Sequence, residues 1–190
     1  MLIGVLALQG AVSEHCLVLD SLNISNKGVR NTKDMRDIDG LIMPGGESTT
    51  LRKLLVNANL WNFIMKSDVP IMGTCAGAIL LGKSDDITFE KMDYVIDRNF
   101  YGRQIDSFEE KLEIENYPDF RGVFIRAPAI TKVGNSKPIA FCKGEIVACT
   151  DRKNMALTFH PELTNDTYFH EMWLRAVSYT HLTLPTKRIV

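Results

Sequence analysis

Residues 70–81 read PIMGTCAGAILL, an apolar run that becomes rich in small residues and passes directly into a second apolar run. Residues 70–74 have the length and character of a buried strand, and residues 76–81 continue as an apolar helix. A strand that leads straight into a helix is typical of layered α/β folds. We therefore expect Cys75 to lie at the junction, at the carboxyl end of a strand.

The same alternation of strand and helix precedes this segment. Short apolar runs, typical of buried strands in a parallel sheet, occupy residues 2–8 and 39–43. Predicted helices occupy residues 12–22, 48–57 and 60–66, and Ser48 or Thr49 is expected to cap the second of them. The pattern predicts an α/β fold of three layers, with a mainly parallel central sheet flanked by helices.

The second half of the chain predicts a smaller antiparallel section. Residues 111–115 alternate polar and apolar side chains, as a half-exposed strand does. Further strand-like runs occupy residues 122–125, 138–141, 146–149 and 155–159. Lys143-Gly144, between two of these runs, predicts a hairpin.

A last predicted helix, residues 166–177, closes a single domain of residues 1–177. Residues 178–190 follow it without a clear period, so we expect a non-native or disordered tail. The chain contains no internal repeat, low-complexity segment or linker that would indicate a second domain.

Composition excludes several classes of protein. The chain has 190 residues, 45% of them apolar, and a net charge of −1, which argues against disorder and against nucleic-acid binding. Its apolar runs are too short for a membrane span, and its N-terminus lacks the features of a signal peptide, so we expect a cytoplasmic protein with no membrane partner. Four cysteines and four histidines show no metal-ligand spacing, and we expect no metal and no cofactor.

Two sequence patterns indicate nucleophilic chemistry. Gly73-Thr74-Cys75-Ala76-Gly77 is the cysteine version of a nucleophile elbow, in which the following helix N-terminus favours the thiolate. In His160-Pro161-Glu162, an extended backbone lets the carboxylate orient the imidazole while the other ring nitrogen faces a nucleophile. The alternatives are a buried structural cysteine and an ordinary loop histidine.

A third pattern, Pro44-Gly45-Gly46-Glu47-Ser48, ends one predicted strand and begins a helix. Ligands of open parallel sheets bind at such carboxyl ends. The N–H groups of Gly46 and Ala76 are candidates to stabilise an oxyanion. A simple turn with a helix cap is the alternative, and a phosphate-binding loop is disfavoured because the lysine of a P-loop is missing.

Together these motifs resemble those of the class I, triad-type glutamine amidotransferases, and more narrowly the glutaminase subunits of two-component pyridoxal 5′-phosphate synthases. The resemblance covers about residues 1–177. It is carried by residues 4–12, 14–15, 44–50, 73–77, 98–99, 101–104, 106–108, 122–128 and 159–163.

The resemblance implies a flavodoxin-like glutaminase fold and a triad of Cys75, His160 and Glu162. It implies an oxyanion hole near Gly46 and Ala76. The glutamine contacts that it implies are Gly46, Glu47, Ser48, Arg98, Ile125 and Arg126. Either arginine suits the carboxylate of glutamine because a guanidinium pairs with it in bidentate geometry.

The resemblance also implies a partner, an oligomeric synthase subunit with a (β/α)₈ barrel fold. Gln9 and His15 are expected to border that interface, although the sequence alone indicates a loop glutamine and a helix-surface histidine. By the same sequence reasoning, His170 is expected to be a solvated helix residue. Cys16, Cys142 and Cys149 are expected to be core or half-buried thiols.

The expected activity is hydrolysis of L-glutamine through a Cys75 thioester, with the ammonia passed to the partner. About 177 residues leave no room for a second catalytic domain, so the acceptor of ammonia must be a separate chain. Three alternatives stay open: a glutaminase subunit of another synthase, such as imidazole glycerol phosphate synthase; a cysteine-elbow hydrolase or stress protein of similar architecture; and a non-catalytic module.

Overall fold

The computed structural model describes residues 1–100, 107–117 and 119–183. The strands are β1 (Leu2–Leu6), β2 (Ser25–Val29), β3 (Gly40–Met43), β4 (Ile71–Thr74), β5 (Tyr94–Asp97), β6 (Ser107–Lys111), β7 (Arg121–Ile125), β8 (Ala129–Val133), β9 (Lys137–Cys142), β10 (Glu145–Thr150) and β11 (Met155–Leu157). The helices are α1 (Val12–Ser21), α2 (Ser48–Asn57), α3 (Leu60–Lys66), α4 (Ala76–Leu81) and α5 (Tyr168–Thr183), with a short 3₁₀ helix at Pro161–Leu163.

The central sheet has a parallel half and an antiparallel half. Its strand order is β2-β1-β3-β4-β11-β10-β8-β5, and β9 pairs with β10. The neighbours from β2 to β11 are parallel, whereas β10 runs antiparallel to β11, β8 and β9. Strands β6 and β7 form a separate antiparallel pair. The predicted fold class, a mainly parallel sheet with a smaller antiparallel section, is confirmed.

Helices cover both faces of the parallel half, which gives the three predicted layers. Leu41 and Met43 of β3 pack into a core with α2, α3 and α4. Ile42, which lies between them in the strand, points to the opposite face and packs with Leu19 of α1 and Trp173 of α5. This alternation explains why the parallel strands are continuous apolar runs, since both of their faces are buried.

The bounds of α2, α3 and α4 agree with the sequence-based prediction. The predicted cap of α2 is wrong: Glu47 caps the helix, and its carboxylate accepts hydrogen bonds from the N–H groups of Thr49 and Thr50. The hairpin at Lys143-Gly144 is confirmed, with φ values of +52° and +80° that suit the tight turn between β9 and β10.

Other elements differ from the prediction. Strands β2, β5 and β8 were not predicted, and β6 ends at Lys111, where the sequence pattern placed the start of a strand. Beyond it, Glu113 forms an isolated bridge with Phe141. Helix α5 continues to Thr183, so the expected boundary at residue 177 does not end the helix. Residues 184–190 of the expected tail lie outside the described residues. In the described part of the chain, every helix is too short or too polar to cross a bilayer.

Candidate active site

Cys75 occupies a strained turn between β4 and α4. Its φ of +48° and ψ of −104° lie outside the regions that non-glycine residues usually adopt. The N–H group of Cys75 donates to the carbonyl of Leu157 in the neighbouring strand β11, at 2.8 Å, which holds the turn in place. Its sulfur lies 3.9 Å from the carbonyl oxygen of Ile125. The conformation is that of a nucleophile elbow, in which strain accompanies a fixed, projecting side chain.

His160 and Glu162 approach the cysteine from the adjacent strand end. His160 follows β11 and its N–H donates to the carbonyl of Val123 at 2.8 Å, while Pro161 starts the 3₁₀ helix that carries Glu162. His160 Nδ1 lies 2.7 Å from Glu162 Oε1, and the imidazole and the Cys75 side chain line the same cavity, where both lie against Gly45. The structure therefore brings together the three residues of the expected triad.

The electrostatics of this group favour a protonated imidazole. Burial alone lowers the pKa of His160, but its hydrogen bonds to Cys75 and Glu162, together with the charge of Glu162, outweigh that effect and raise the pKa to about 10. The imidazolium thus lies between sulfur and carboxylate, where it can stabilise negative charge on either group.

An open cavity of about 780 Å³ lies over Cys75 and His160. The residues that line it include all of the expected glutamine contacts. Among the described residues, the lining is Gly46, Glu47, Ser48, Cys75, Ile79, Arg98, Asn99, Ser107, Ile125, Arg126 and His160. Glu162 does not line the cavity, because it lies behind the imidazole.

Sequence reasoning did not assign three of these residues, Ile79, Asn99 and Ser107, to the site. Asn99 follows Arg98, and Ser107 belongs to another of the segments that carry the family resemblance, so that resemblance contained a signal for both. Ile79 is one turn along α4 from Cys75, and its position follows from the helical period alone.

The expected oxyanion donors flank Cys75. Ala76 is the first residue of α4, whose first N–H groups have no acceptor within the helix. Gly46 has a φ of +137°, which side chains rarely tolerate, and a Cβ there would lie 2.8 Å from Nε2 of Gln9. Gln9 donates from that same nitrogen to the carbonyl of Glu47 at 2.8 Å. The loop glutamine therefore holds the Gly46–Glu47 segment in place.

Arg98 connects the cavity to α2 and to the loop after α4. One guanidinium nitrogen, Nη1, donates to Thr49 Oγ1 at 3.0 Å and lies 3.5 Å from Asp86 Oδ2. Nη2 lies 3.9 Å from Glu47 Oε1. These contacts fix the guanidinium at the cavity wall. Arg126 lines the same cavity.

The expectations for two histidines are wrong. His15 and His170 are both fully buried, whereas a surface position was expected for each. They contact each other beneath the triad, because α1 and α5 pack on the same face of the sheet. Because the His15 side chain has no accessible surface, it cannot contact a partner, and the expectation that it borders the interface is wrong. Gln9 stays a candidate.

The remaining cysteines are ordinary thiols. Cys142 and Cys149 are buried, Cys16 is half-buried, and all four cysteines are free. Burial raises the pKa of the Cys149 thiol to about 12, and it also raises the pKa of Cys16 and Cys142. Among the residues that the structure describes, no group of three His, Cys, Asp or Glu side chains is placed to hold a metal ion.

Comparison with known proteins identifies the family of the chain. The model of the SNO glutamine amidotransferase family matches residues 5–179. The chain belongs to this family. The expected family resemblance is thereby confirmed, and the chain is a glutamine amidotransferase rather than an unrelated elbow hydrolase.

Individual relatives of the family cover nearly the whole chain. Pyridoxal 5′-phosphate synthase subunit PdxT of Methanocaldococcus jannaschii is 44% identical over 173 residues, which are 88% of this chain and 93% of that protein. The protein of the same name from Actinobacillus pleuropneumoniae is 40% identical over 179 residues, 91% of this chain and 94% of that protein. A crystal structure of a glutamine amidotransferase superposes with a TM-score of 0.87 and 37% identity, covering 93% of this chain and 98% of that one.

Proposed function

We propose that this amidotransferase is the glutaminase subunit of a pyridoxal 5′-phosphate synthase, and that it hydrolyses L-glutamine to L-glutamate and ammonia for use by a separate synthase subunit. The names of its relatives support the assignment to this synthase. The observation that carries the chemistry is the position of Cys75 and His160 together in the wall of the cavity, with Glu162 bonded to the imidazole from behind.

The proposed reaction has two steps. In the first, the Cys75 sulfur attacks the side-chain carbonyl carbon of glutamine, the C–N bond breaks, and His160 gives its proton to the departing ammonia. In the second, water attacks the carbonyl carbon of the γ-glutamyl thioester and gives a proton to His160, the C–S bond breaks, and glutamate leaves while the Cys75 thiolate is restored. Glu162 keeps the imidazole oriented and stabilises its charged form during both steps.

The other residues of the cavity have supporting roles in this proposal. The N–H groups of Gly46 and Ala76 stabilise the oxyanion that forms at each attack. A guanidinium of Arg98 or Arg126 binds the α-carboxylate of glutamine. Glu47, Ser48 and the Ile125 segment complete the walls that hold the substrate.

The partner is proposed to be an oligomeric (β/α)₈ barrel, with Gln9 near the contact. Gln9 suits that position because it is bonded to the backbone beside the proposed oxyanion hole, so a partner that moves Gln9 also affects the site. We propose a cytoplasmic location, which is supported by four free thiols in a chain whose described residues include all of them.

Glutamate release, measured with and without the synthase subunit, tests the proposal. We expect the wild type to release glutamate when the partner is present, and a glutamine-analogue electrophile to label Cys75. Cys75→Ala is expected to fold and bind the partner but to release no glutamate, whereas Cys16→Ala, the matched control at a half-buried thiol, stays active. Wild-type turnover in Cys75→Ala would refute the mechanism. Capture of imidazole glycerol phosphate synthase instead of the pyridoxal 5′-phosphate partner would refute the pathway.

A further inference from the structure

A row of buried polar side chains continues behind the triad. Glu162 Oε1 faces His160, and its other oxygen, Oε2, lies 3.4 Å from Nε2 of His15. His15 Nδ1 in turn lies 3.0 Å from Nε2 of His170. The side chains of His15 and Glu162 are both 0% exposed, and His170 is fully buried. Thr74, the residue before Cys75, lies 3.4 Å from the same His15 nitrogen through its hydroxyl.

The contacts of this row determine where its protons lie. Within the described residues, His170 Nδ1 is buried without a hydrogen-bond partner. A buried N–H without an acceptor is expensive, so that nitrogen carries the lone pair and Nε2 carries the proton. His170 therefore donates to Nδ1 of His15, which places the His15 proton on Nε2, where Oε2 of Glu162 and the hydroxyl oxygen of Thr74 are both 3.4 Å away.

Both histidines are neutral in this arrangement. Burial lowers the pKa of His170 to about 4. Burial, followed by the nearby His170 and His160, lowers the pKa of His15 well below its ordinary value. Each ring thus has one donor and one acceptor nitrogen, and each donor points along the row toward the carboxylate.

The hydrogen bonds of the row do not continue to Oε2 of Glu162. It is buried, and in the described part of the chain it has no hydrogen bond, although Nε2 of the neutral His15 lies 3.4 Å away. A buried carboxylate oxygen without a donor costs free energy. Catalytic hydrogen bonds are often long in the absence of substrate and shorten when it binds.

We propose that His15 is a positioning residue of the glutaminase reaction, which donates from Nε2 to Glu162 Oε2 and is itself oriented by His170. Anchoring Oε2 leaves Oε1 aimed at His160 Nδ1, so that the opposite edge of the imidazole faces the sulfur of Cys75. The row also connects α1 and α5 to the triad. This inference rests on the proposed glutaminase function.

Two substitutions at one residue separate a positioning role from a structural one. The amide nitrogen of glutamine superposes on Nε2 of histidine and can donate as it does, whereas the side-chain oxygen of asparagine can take the place of Nδ1 and accept from His170. His15→Gln therefore keeps the donor toward Glu162, and His15→Asn keeps only the contact with His170. We expect kcat to fall about tenfold or more in His15→Asn, KM for glutamine to stay within about twofold, and His15→Gln to recover most of the loss.

A second readout does not depend on glutamine turnover. The rate at which iodoacetamide alkylates Cys75, followed by mass spectrometry of its peptide, reports how well the imidazolium is held against the sulfur. We expect slower alkylation in His15→Asn and a rate close to that of the wild type in His15→Gln. In a Glu162→Gln background, His15→Asn is expected to cause no further loss of either rate, since the two residues act through one contact.

Each outcome supports or overturns the inference. Equal rates in folded His15→Asn and wild type, or equal losses in His15→Asn and His15→Gln, overturn it. If neither His15 variant folds, the comparison is made at His170, where glutamine keeps the donor toward His15 and leucine removes it. An unchanged rate of Cys75 alkylation in His170→Leu then overturns the inference. Absence of glutamate release by the wild type with its partner contradicts the proposed function instead, and the alkylation series still decides the role of His15.

Discussion

Gly45 lies against the edge of the His160 ring, so closely that a Cβ on residue 45 would be 2.5 Å from Cε1 of the imidazole. The same Cβ would be 3.1 Å from Cβ of Cys75. The absence of a side chain at residue 45 is therefore what lets the loop after β3 close over both groups without displacing either.

Gly45→Ala is expected to inactivate the site while the fold survives. The added methyl group pushes the imidazole away from the sulfur, and loss of alignment within a triad that acts as a unit costs about 10²-fold or more in kcat. Glutamate release and circular dichroism, measured on the same preparation, test this expectation. Gly144→Ala is the control, since its φ of +80° makes the substitution strained but a Cβ there has nothing within 4 Å. An active Gly45→Ala would show that the ring tolerates displacement.

Glu47→Ala is expected to destabilise α2 by about 1 kcal/mol through loss of its cap. Burial raises the pKa of Glu47, but hydrogen bonds from Thr50 and Thr49 outweigh it and lower the pKa to about 2, from an ordinary 4.5. A lowered folded-state pKa means that the stabilisation is present above pH 4.5 and declines as the pH falls toward 2. The free energy of unfolding, measured in urea, should therefore differ between the wild type and Glu47→Ala, and this difference should shrink below pH 4.5. A constant difference would mean that the carboxylate charge does not matter.

The catalytic part of the fold was predictable because its constraints are local. Buried parallel strands need continuous apolar runs, and an elbow needs small residues around its nucleophile, so β3, β4 and α4 left clear patterns. Strand β2 left none, since its sequence SNKGV lies at the sheet edge with only Val29 buried. The cap of α2 was misassigned because Glu reaches back to the helix N-terminus from a position where Ser or Thr is usually expected.

The positions of His15 and His170 were not predictable from local pattern. Each lies in a helix next to a glutamate, and a single helix does not reveal which face a distant helix will cover. Their burial depends on α1 and α5 packing together on one side of the sheet, a contact between residues 155 positions apart. Sequence reasoning identified the three aligned groups of the site, but not the buried row that lies behind them.

Arg98→Lys is expected to raise KM for glutamine about tenfold with little change in kcat. Lysine keeps the charge but loses the two-pronged geometry that suits a carboxylate and the contact of Nη1 with Thr49. Steady-state kinetics at saturating partner give both constants. Arg175→Lys is the control, because its ion pair with Glu171 is a surface contact within α5. A fall in kcat with unchanged KM would instead mean that Arg98 stabilises the transition state and not the bound substrate.

Acid is expected to destabilise the protein through the buried histidines. Burial lowers the pKa of His170 from 6.5 to about 4, so between these values the unfolded chain binds a proton that the folded chain does not. This contribution to stability is therefore complete above pH 6.5 and is lost as the pH falls toward 4, by up to about 3 kcal/mol. His15, whose pKa is also lowered, acts in the same direction.

His170→Leu isolates this contribution because leucine cannot bind the proton. The free energy of unfolding in urea, measured at pH 7.5 and at about pH 4.5, should fall less between the two conditions in His170→Leu than in the wild type. Ser136→Ala is the matched control, since it too removes a buried polar side chain, one whose hydroxyl has no hydrogen bond among the described residues, but it changes no titration. Between the two pH values, the free energy of unfolding of Ser136→Ala should fall as much as that of the wild type. If His170→Leu also loses as much as the wild type, His170 is protonated in the folded chain, and the neutral row beneath Glu162 does not exist.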